Sequence, residues 1–455
     1  MALFKPRRSV HRISPAYLVF MWFGSFVMLG TILLWMPFSH NSHKIDMTFV
    51  TALFTAVSAA CVTGLSVVNV HDAFSSFGQF VIFLLMEMGG MGIMTFASLG
   101  FRLLGRRLSL SHQLATTDAI YQNDAAGEFK RTFMQILKVT LWAQVVGAAV
   151  MAVTLIPRHW ANPDERLFMF WSAIFHASSA FCNSGFTLYQ DALQSFRGNI
   201  PFQASILILV TLGGLGHTVL NELYNLPRFI RNHTRSPHWI SLHTRVVLVM
   251  TALLIVFGIL LLWVLGTGAV EGSRLWNAVF ETVSGRTAGF SISDQSLLPL
   301  PAAIVMLFLM FVGGSPGSCA GGIKTTSLAI WIGRIQANLR NDTNVNMFGY
   351  TIAPDLVSRA RILMAVTMIW NVLGVFILSI CHPSASLETL IFEQISAFGT
   401  VGLSMDFTEK LTVWSKLWIC VSMFVGRLGP LSIALWVVPS AKVKINRPEG
   451  RIMVG

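Results

Sequence analysis

Charge is what this chain has least of. Only 11% of its 455 residues are Asp, Glu, Lys or Arg, less than half of the roughly 25% in a soluble domain. Hydrophobic residues make up 54% and fall in long blocks, so the bilayer is the solvent to assume. Acidic residues are scarcer still, 20 against 32 basic ones. The resulting net charge of +12 does not imply nucleic-acid binding, because the basic residues sit in short connections beside the apolar blocks. They are Lys5, Arg7, Arg8 and Arg12, then Arg102, Arg106, Arg107, Lys130 and Arg131, then Arg228, Arg231, Arg235 and Arg245. Arg334, Arg340, Arg359 and Arg361 follow, and Lys442, Lys444 and Arg447 close the series. That placement is a positive-inside pattern. The five cysteines lie mostly in apolar or Gly-rich segments, with no spacing for a metal site or a disulfide framework. The membrane blocks also lack paired carboxylates, a His/Asp cluster or a nucleophile beside a base, which argues against an enzyme. No Walker loop or dinucleotide fingerprint is present, since the Gly-rich run Gly313–Gly322 follows no strand. Any nucleotide control must therefore reside on another protein.

What is present is apolar length. Runs able to cross a bilayer (about 20 residues) appear at Tyr17–Phe38, Gln79–Leu104, Phe133–Ile156, Phe202–Leu226, Val246–Leu265, Leu298–Leu328, Arg361–Ile380 and Trp414–Pro439. The first follows a short basic start and has no small-residue cleavage site, so it reads as a retained span. Between the members of each pair lies a segment too short and too polar to cross: Met47–Ser66, Leu167–Thr187, Leu275–Ser291 and Leu387–Ser404. Such segments read as re-entrant. With eight crossings and basic connections on one side, both termini are expected in the cytoplasm.

Span, half-span, span is thus written four times, and the half-spans repeat residue by residue. Phe54, Phe175, Phe280 and Phe392 are each followed four residues later by Ser58, Ser179, Ser284 and Ser396. A glycine comes next: Gly64, Gly185, Gly289 or Gly402. The step from Ser to Gly is six residues in three copies and five in the third. Leu or Phe follows, then Ser or Thr (Ser66, Thr187, Ser291, Ser404). The second spans repeat as well, carrying a glycine element at Gly89, Gly213, Gly313 and Gly426. Close helix packing is one reading of those elements.

A dehydrated cation needs several oxygens, which backbone carbonyls supply without fixed charge. Extended backbone at membrane depth is tolerable only where it lines a wet cavity, and glycine permits the dihedrals involved. The residues expected to contribute are Val62, Thr63 and Gly64; Asn183, Ser184 and Gly185; Thr287, Ala288 and Gly289; and Thr400, Val401 and Gly402. The Phe-to-Ser stretch before each suits a short helix whose negative C-terminal end faces the ion. The fold class expected is an all-α integral membrane protein, four span–pore-loop–span repeats in pseudo-fourfold arrangement around one ion pathway.

The motifs Val62-Thr63-Gly64-Leu65, Arg286-Thr287-Ala288-Gly289-Phe290, Ala320-Gly321-Gly322-Ile323-Lys324-Thr325-Thr326 and Gly426-Arg427-Leu428-Gly429-Pro430 resemble those of the Ktr/Trk/HKT superfamily of potassium transporters. The resemblance runs from about Tyr17 to Pro439. It is nearer the bacterial Ktr membrane subunit type (KtrB) than Trk-type subunits, which carry an extra pair of spans. Glu87 departs from it, standing where the family more often has Gln; pore-facing and Arg427-paired placements are both open. The resemblance implies potassium uptake, with sodium as a candidate coupled ion. It also implies a homodimer in the membrane and a cytosolic RCK-type regulatory subunit (KtrA-like) binding ATP/ADP or NAD(H). The setting implied is the inner (plasma) membrane of a bacterium. The expected organisation is a cytoplasmic segment 1–16, repeats at 17–107, 130–227, 244–341 and 357–439, and a cytoplasmic tail 440–455.

The sixth span is interrupted at 313–326, where glycine and proline forbid a continuous helix. The residues Gly314, Ser315, Pro316, Gly317, Gly321, Gly322 and Lys324 are expected to form an intramembrane gating loop, against the alternative of a rigid kink. Arg427, an ionisable residue inside the last span, is expected to act as a barrier or as a tie to loop carbonyls or Glu87. Arg286 is expected to brace the third filter from behind, since a guanidinium cannot ligate a cation. His176 is expected to be packed or to touch solvent, in preference to relaying protons. The competing reading is an alternating-access transporter with a midplane site, which four same-direction repeats oppose.

Overall fold

A computed structural model describes residues 15–41, 47–91, 129–156, 163–231, 240–268 and 272–429. Expectations for the first 14 residues, for 92–128 and for 430–455 lie outside these. Repeat one comprises α1 (Pro15–Trp35), the short helix α2 (Phe49–Ala60) and α3 (Ser76–Gly90). Repeat two holds α4 (Phe129–Leu155), α5 (Pro163–Phe181), α6 (Ile200–Leu215) and α7 (His217–Arg231). Repeat three holds α8 (Leu242–Leu265), α9 (Arg274–Gly285), α10 (Leu300–Phe311) and α11 (Thr325–Leu339). A two-strand hairpin, β1 (Asn346–Met347) with β2 (Tyr350–Thr351), leads into repeat four: α12 (Pro354–Cys381), α13 (Leu387–Gly399) and α14 (Val413–Leu428).

Three of the half-spans begin as helices at a capping side chain, and all four helices stop three or four residues before the repeat glycine. Thr48, Ser273 and Ser386 accept from the amides of Thr51, Trp276 and Thr389 at 3.2, 3.4 and 3.2 Å, satisfying donors that open a helix. The long helices turn bare apolar faces outward: Trp142 and Val153 on α4, Leu253 and Val264 on α8, Ile369 and Val372 on α12 are exposed. Hydrocarbon is the medium that accepts such faces. Among the described residues, Met134–Leu155, Leu242–Leu265 and Pro354–Cys381 are long and apolar enough to cross a bilayer.

One expected span is not straight. The run Phe202–Leu226 is two helices, α6 and α7, that meet at 104°. The corner is Gly216, at φ +88°, a dihedral an L side chain rarely adopts.

The packing is cyclic. Within each repeat the first span, short helix and second span touch one another. Between repeats, α3 packs on α5, α6 on α9, α10 on α13, and α14 returns to α2. The second span of every repeat therefore supports the short helix of the next, and the fourth closes onto the first.

Candidate functional site

The four short helices deliver their chain to one place. Phe54, Phe175, Phe280 and Phe392 are fully buried, as are Ser58, Ser179, Ser284 and Ser396. The serine's role is to pin the turn that follows. Its carbonyl accepts from Thr63, Ser184, Ala288 and Val401 amides at 2.7–2.9 Å. Its hydroxyl accepts from Gly64 N at 3.1 Å and Gly402 N at 3.2 Å. In the other two repeats it donates to the carbonyls of Phe186 (2.9 Å) and Phe290. With their amides held against the helix, the segments leave their carbonyls on the opposite side. Among the described residues nothing donates to the carbonyls of Thr63, Ser184, Ala288 or Val401.

The backbone here is unusual in all four copies. Val62, Asn183 and Thr400 have φ of +56°, +58° and +50°, and Thr287, in the copy one residue shorter, +153°. Non-glycine residues with positive φ are uncommon and concentrate at functional sites. Gly64, Gly185, Gly289 and Gly402 follow at +89°, +72°, +74° and +97°. A Cβ on Gly64 would collide with the Ser184 carbonyl, one on Gly185 with that of Ala288, one on Gly289 with that of Val401, and one on Gly402 with that of Thr63. Each glycine abuts the next repeat, and the fourth returns to the first. The ring is closed. In each loop the glycine keeps some accessibility while the two residues before it are buried, so the glycine lines the opening. The hydroxyls of Thr63, Ser184 and Thr400 are buried without a partner among the described residues. Asn183 joins loops two and three: its carboxamide oxygen accepts from Thr287 Oγ1 at 3.0 Å and its nitrogen donates to Ala180 and Val210 carbonyls at 3.2 Å.

The second-span glycines support this ring. A Cβ on Gly89, Gly213 or Gly426 would strike the last-turn carbonyls of Ala60, Phe181 or Phe398. Close packing is therefore what three of these elements do. The fourth, Gly313, packs on Gly321 of its own loop.

Residues 312–324 do not continue α10. Ser315 N and Cys319 N donate to Gly214 and Gly213 carbonyls at 3.0 and 3.2 Å, and His217 N donates to Gly317 O at 3.2 Å. The loop thus sits on the α6–α7 corner, where a Cβ on Gly216 would meet Pro316 O. Thr325 N closes the loop onto Gly314 O at 3.1 Å, and Lys324 Nζ donates to Ala320 O at 2.5 Å. Its far side faces the ring, for a Cβ on Gly321 would overlap the Thr400 side chain. Two guanidiniums hold it. Arg427 donates to the carbonyls of Cys319 in the loop and Gly89 at the end of α3, and Arg286 Nη2 donates to Gly313 O at 3.3 Å.

Three residues singled out in the sequence have definite partners. Arg286 points away from the opening and donates to Gly313 O, joining the third segment to the start of the loop. Glu87 does not pair with Arg427; it accepts from Gln144 Nε2 at 2.7 Å and from Ser178 Oγ, tying α3 to repeat two. Arg427 ties backbone carbonyls. His176 is packed as expected, bonded to Ser172 O at 2.7 Å and stacked on Tyr189. Tyr189 lies in the loop beyond the ring, where burial pushes its phenol up to about 12. Sequence reading missed the buried carboxylates of Glu281 and Glu393. The signal was available, since each follows the repeat phenylalanine.

Comparison with known proteins places this geometry. Residues 17–445 match the family described as TrkH, cation transport protein. The chain is 36% identical to the potassium/sodium uptake protein NtpJ of Enterococcus hirae, over 99% of both chains. It is 31% identical to the Ktr system potassium uptake protein B of Bacillus subtilis, over 98% of this chain and 97% of that one. Among solved structures it resembles the potassium transporter TrkH of Vibrio parahaemolyticus, with a TM-score of 0.72, 17% identity, and coverage of 95% of this chain and 87% of the other.

Proposed function

Because the chain belongs to the TrkH cation transport protein family, we propose that it takes up potassium across a bacterial plasma membrane through the ring of four glycine loops. The observation that carries this is the closed cycle in which Gly64, Gly185, Gly289 and Gly402 each abut a carbonyl of the next repeat. Carbonyl oxygens without donors, grouped around one opening, can replace the hydration shell of a monovalent cation. Four helix C-termini ending at the ring add a negative potential there. The names of the relatives from Enterococcus hirae and Bacillus subtilis both include potassium uptake, and the former adds sodium. Sodium is accordingly the second candidate ion.

The loop at 312–324 is the gate of this reading. It lies against the ring, it is held by hydrogen bonds to repeats two and four, and it is rich in glycine, so alternative arrangements cost little. Arg427 latches it. The resemblance to the Ktr type extends this reading to a cytosolic nucleotide-binding regulatory subunit on the basic face and to a homodimer in the membrane. With both termini cytoplasmic, the gate is on the cytoplasmic side of the ring. An alternating-access mechanism fits less well, because the ring is built from four equivalent positions and leaves no two-lobed site.

Growth of a potassium-uptake-deficient bacterium at low potassium tests the proposal. The chain should restore growth, and Gly289→Ser, whose Cβ would collide with Val401 O, should reduce growth or admit sodium. Equal growth and equal selectivity of the two would refute the filter assignment.

A further inference from the structure

Beyond the ring and its latch, the described residues bury two carboxylates that serve no part of the account so far. Glu281 is 1% exposed and Glu393 is 0% exposed. Each directly follows the repeat phenylalanine, at the position that Thr55 and His176 hold in the first two copies. Among the described residues neither lies within ion-pair distance of a Lys or Arg. A buried carboxylate must then be satisfied by hydrogen bonds, and the donors here share one origin. Glu281 accepts from Ser291 Oγ (3.1 Å), Ile292 N (3.3 Å), Ser293 Oγ (2.6 Å) and Gln295 Nε2 (2.9 Å). Glu393 accepts from Ser404 Oγ (2.8 Å) and Thr408 Oγ1 (2.5 Å). All six belong to chain that has just left Gly289 or Gly402. Ser291 and Ser404 are the repeat hydroxyl residues two positions beyond those glycines.

We propose that Glu281 and Glu393 are positioning residues for ion selection: each straps the outgoing half of its glycine loop to its own short helix. The inference rests on the filter reading and deepens it. The glycines of loops three and four are then fixed between two anchors, the buried Ser284 or Ser396 on the incoming side and the carboxylate on the outgoing side. The other two repeats hold this position differently. Thr55 Oγ1 donates to Thr51 O in its own helix at 3.0 Å, and His176 reaches the outgoing chain by stacking on Tyr189 at 4.9 Å. The carboxylate straps are therefore confined to one half of the ring, the half that includes Thr400 against the gating loop and Arg286 behind it.

A carboxylate is the side chain for this task because it only accepts. Gln has the same shape but turns an NH2 toward hydroxyls and an amide that already donate. Glu281→Gln and Glu393→Gln should thus release the strap with little change in volume. The test is rubidium and sodium tracer uptake by the purified full chain in liposomes, per mole of folded protein, with Gly289→Ser beside them. The expected result is a KM for rubidium raised about tenfold, as loss of one buried charge-assisted hydrogen bond implies, with a maximal rate within about twofold and weaker discrimination against sodium. If Gly289→Ser alters selectivity while both Gln variants keep the parent KM and discrimination, the straps are overturned and the filter stands. If Gly289→Ser also leaves selectivity unchanged, the filter reading fails and the straps with it. Should the Gln variants not fold, Ser293→Ala and Thr408→Val each remove one donor and keep the carboxylate. They must shift KM in the same direction by a smaller factor, and parent-like values would overturn the inference.

Discussion

Arg427 is a charge that a bilayer does not tolerate without a reason, and its reason is two carbonyls. It reaches Cys319 O in the 312–324 loop and Gly89 O at the end of α3, so one side chain from repeat four joins repeats one and three. Each such bond to a charged donor contributes about 1.5–3 kcal/mol. Arg427→Ala should therefore loosen the loop without disturbing the ring. Rubidium uptake by the purified variant should rise several-fold at unchanged size-exclusion behaviour; a fall in uptake by well-folded protein would assign Arg427 to conduction instead. Glu87 acts one step behind. Its bonds to Gln144 and Ser178 hold α3, which carries Gly89. Glu87→Gln keeps one acceptor oxygen and should loosen the latch less than Arg427→Ala, which the same flux assay ranks.

At the scale of elements, the deciding events are places where helices stop. The Phe-x-x-x-Ser-to-Gly pattern was legible because its residues are rare in combination and recur four times. Packing and backbone bonding then explain why each is needed: Phe buried, Ser pinning the turn, Gly meeting the next repeat. The corner at Gly216 was not legible. Hydropathy reports composition and not direction, and apolar residues continue past it to Leu226. The broken sixth span announced itself through proline and five glycines, whereas one glycine inside an apolar run is ordinary. Arg286 and Glu87 were seen in sequence but their partners were not, because these are 27 and 57 or more residues away. The corner can be tested by substitution. Gly216 and Gly349 both have positive φ, +88° and +81°, but only Gly216 would place a Cβ against backbone. Strain of about 1–3 kcal/mol is expected at either site. Gly216→Ala should in addition displace Pro316 and alter gating. Thermal unfolding should show both variants destabilised, while flux changes only in Gly216→Ala; equal flux effects would contradict the corner's role.

The whole molecule is a cycle of four similar units that are not alike. Each second span supports the next short helix, and each glycine meets the next carbonyl, so the opening is defined by all four and removed by the loss of any one. The residues proposed to control passage are gathered in half of the cycle. Repeat three supplies the loop and Arg286, repeat four supplies Arg427 and Thr400, and both carry the carboxylate straps. Repeat two contributes the corner on which the loop rests. The central claim is that a cation sits where the four loops meet. Anomalous diffraction from crystals grown with thallium(I) in place of potassium tests it most directly. The account predicts a peak on the axis of the ring, within coordination distance of the carbonyls of Thr63, Ser184, Ala288 and Val401. A fully loaded crystal with thallium bound elsewhere and none on that axis would contradict it.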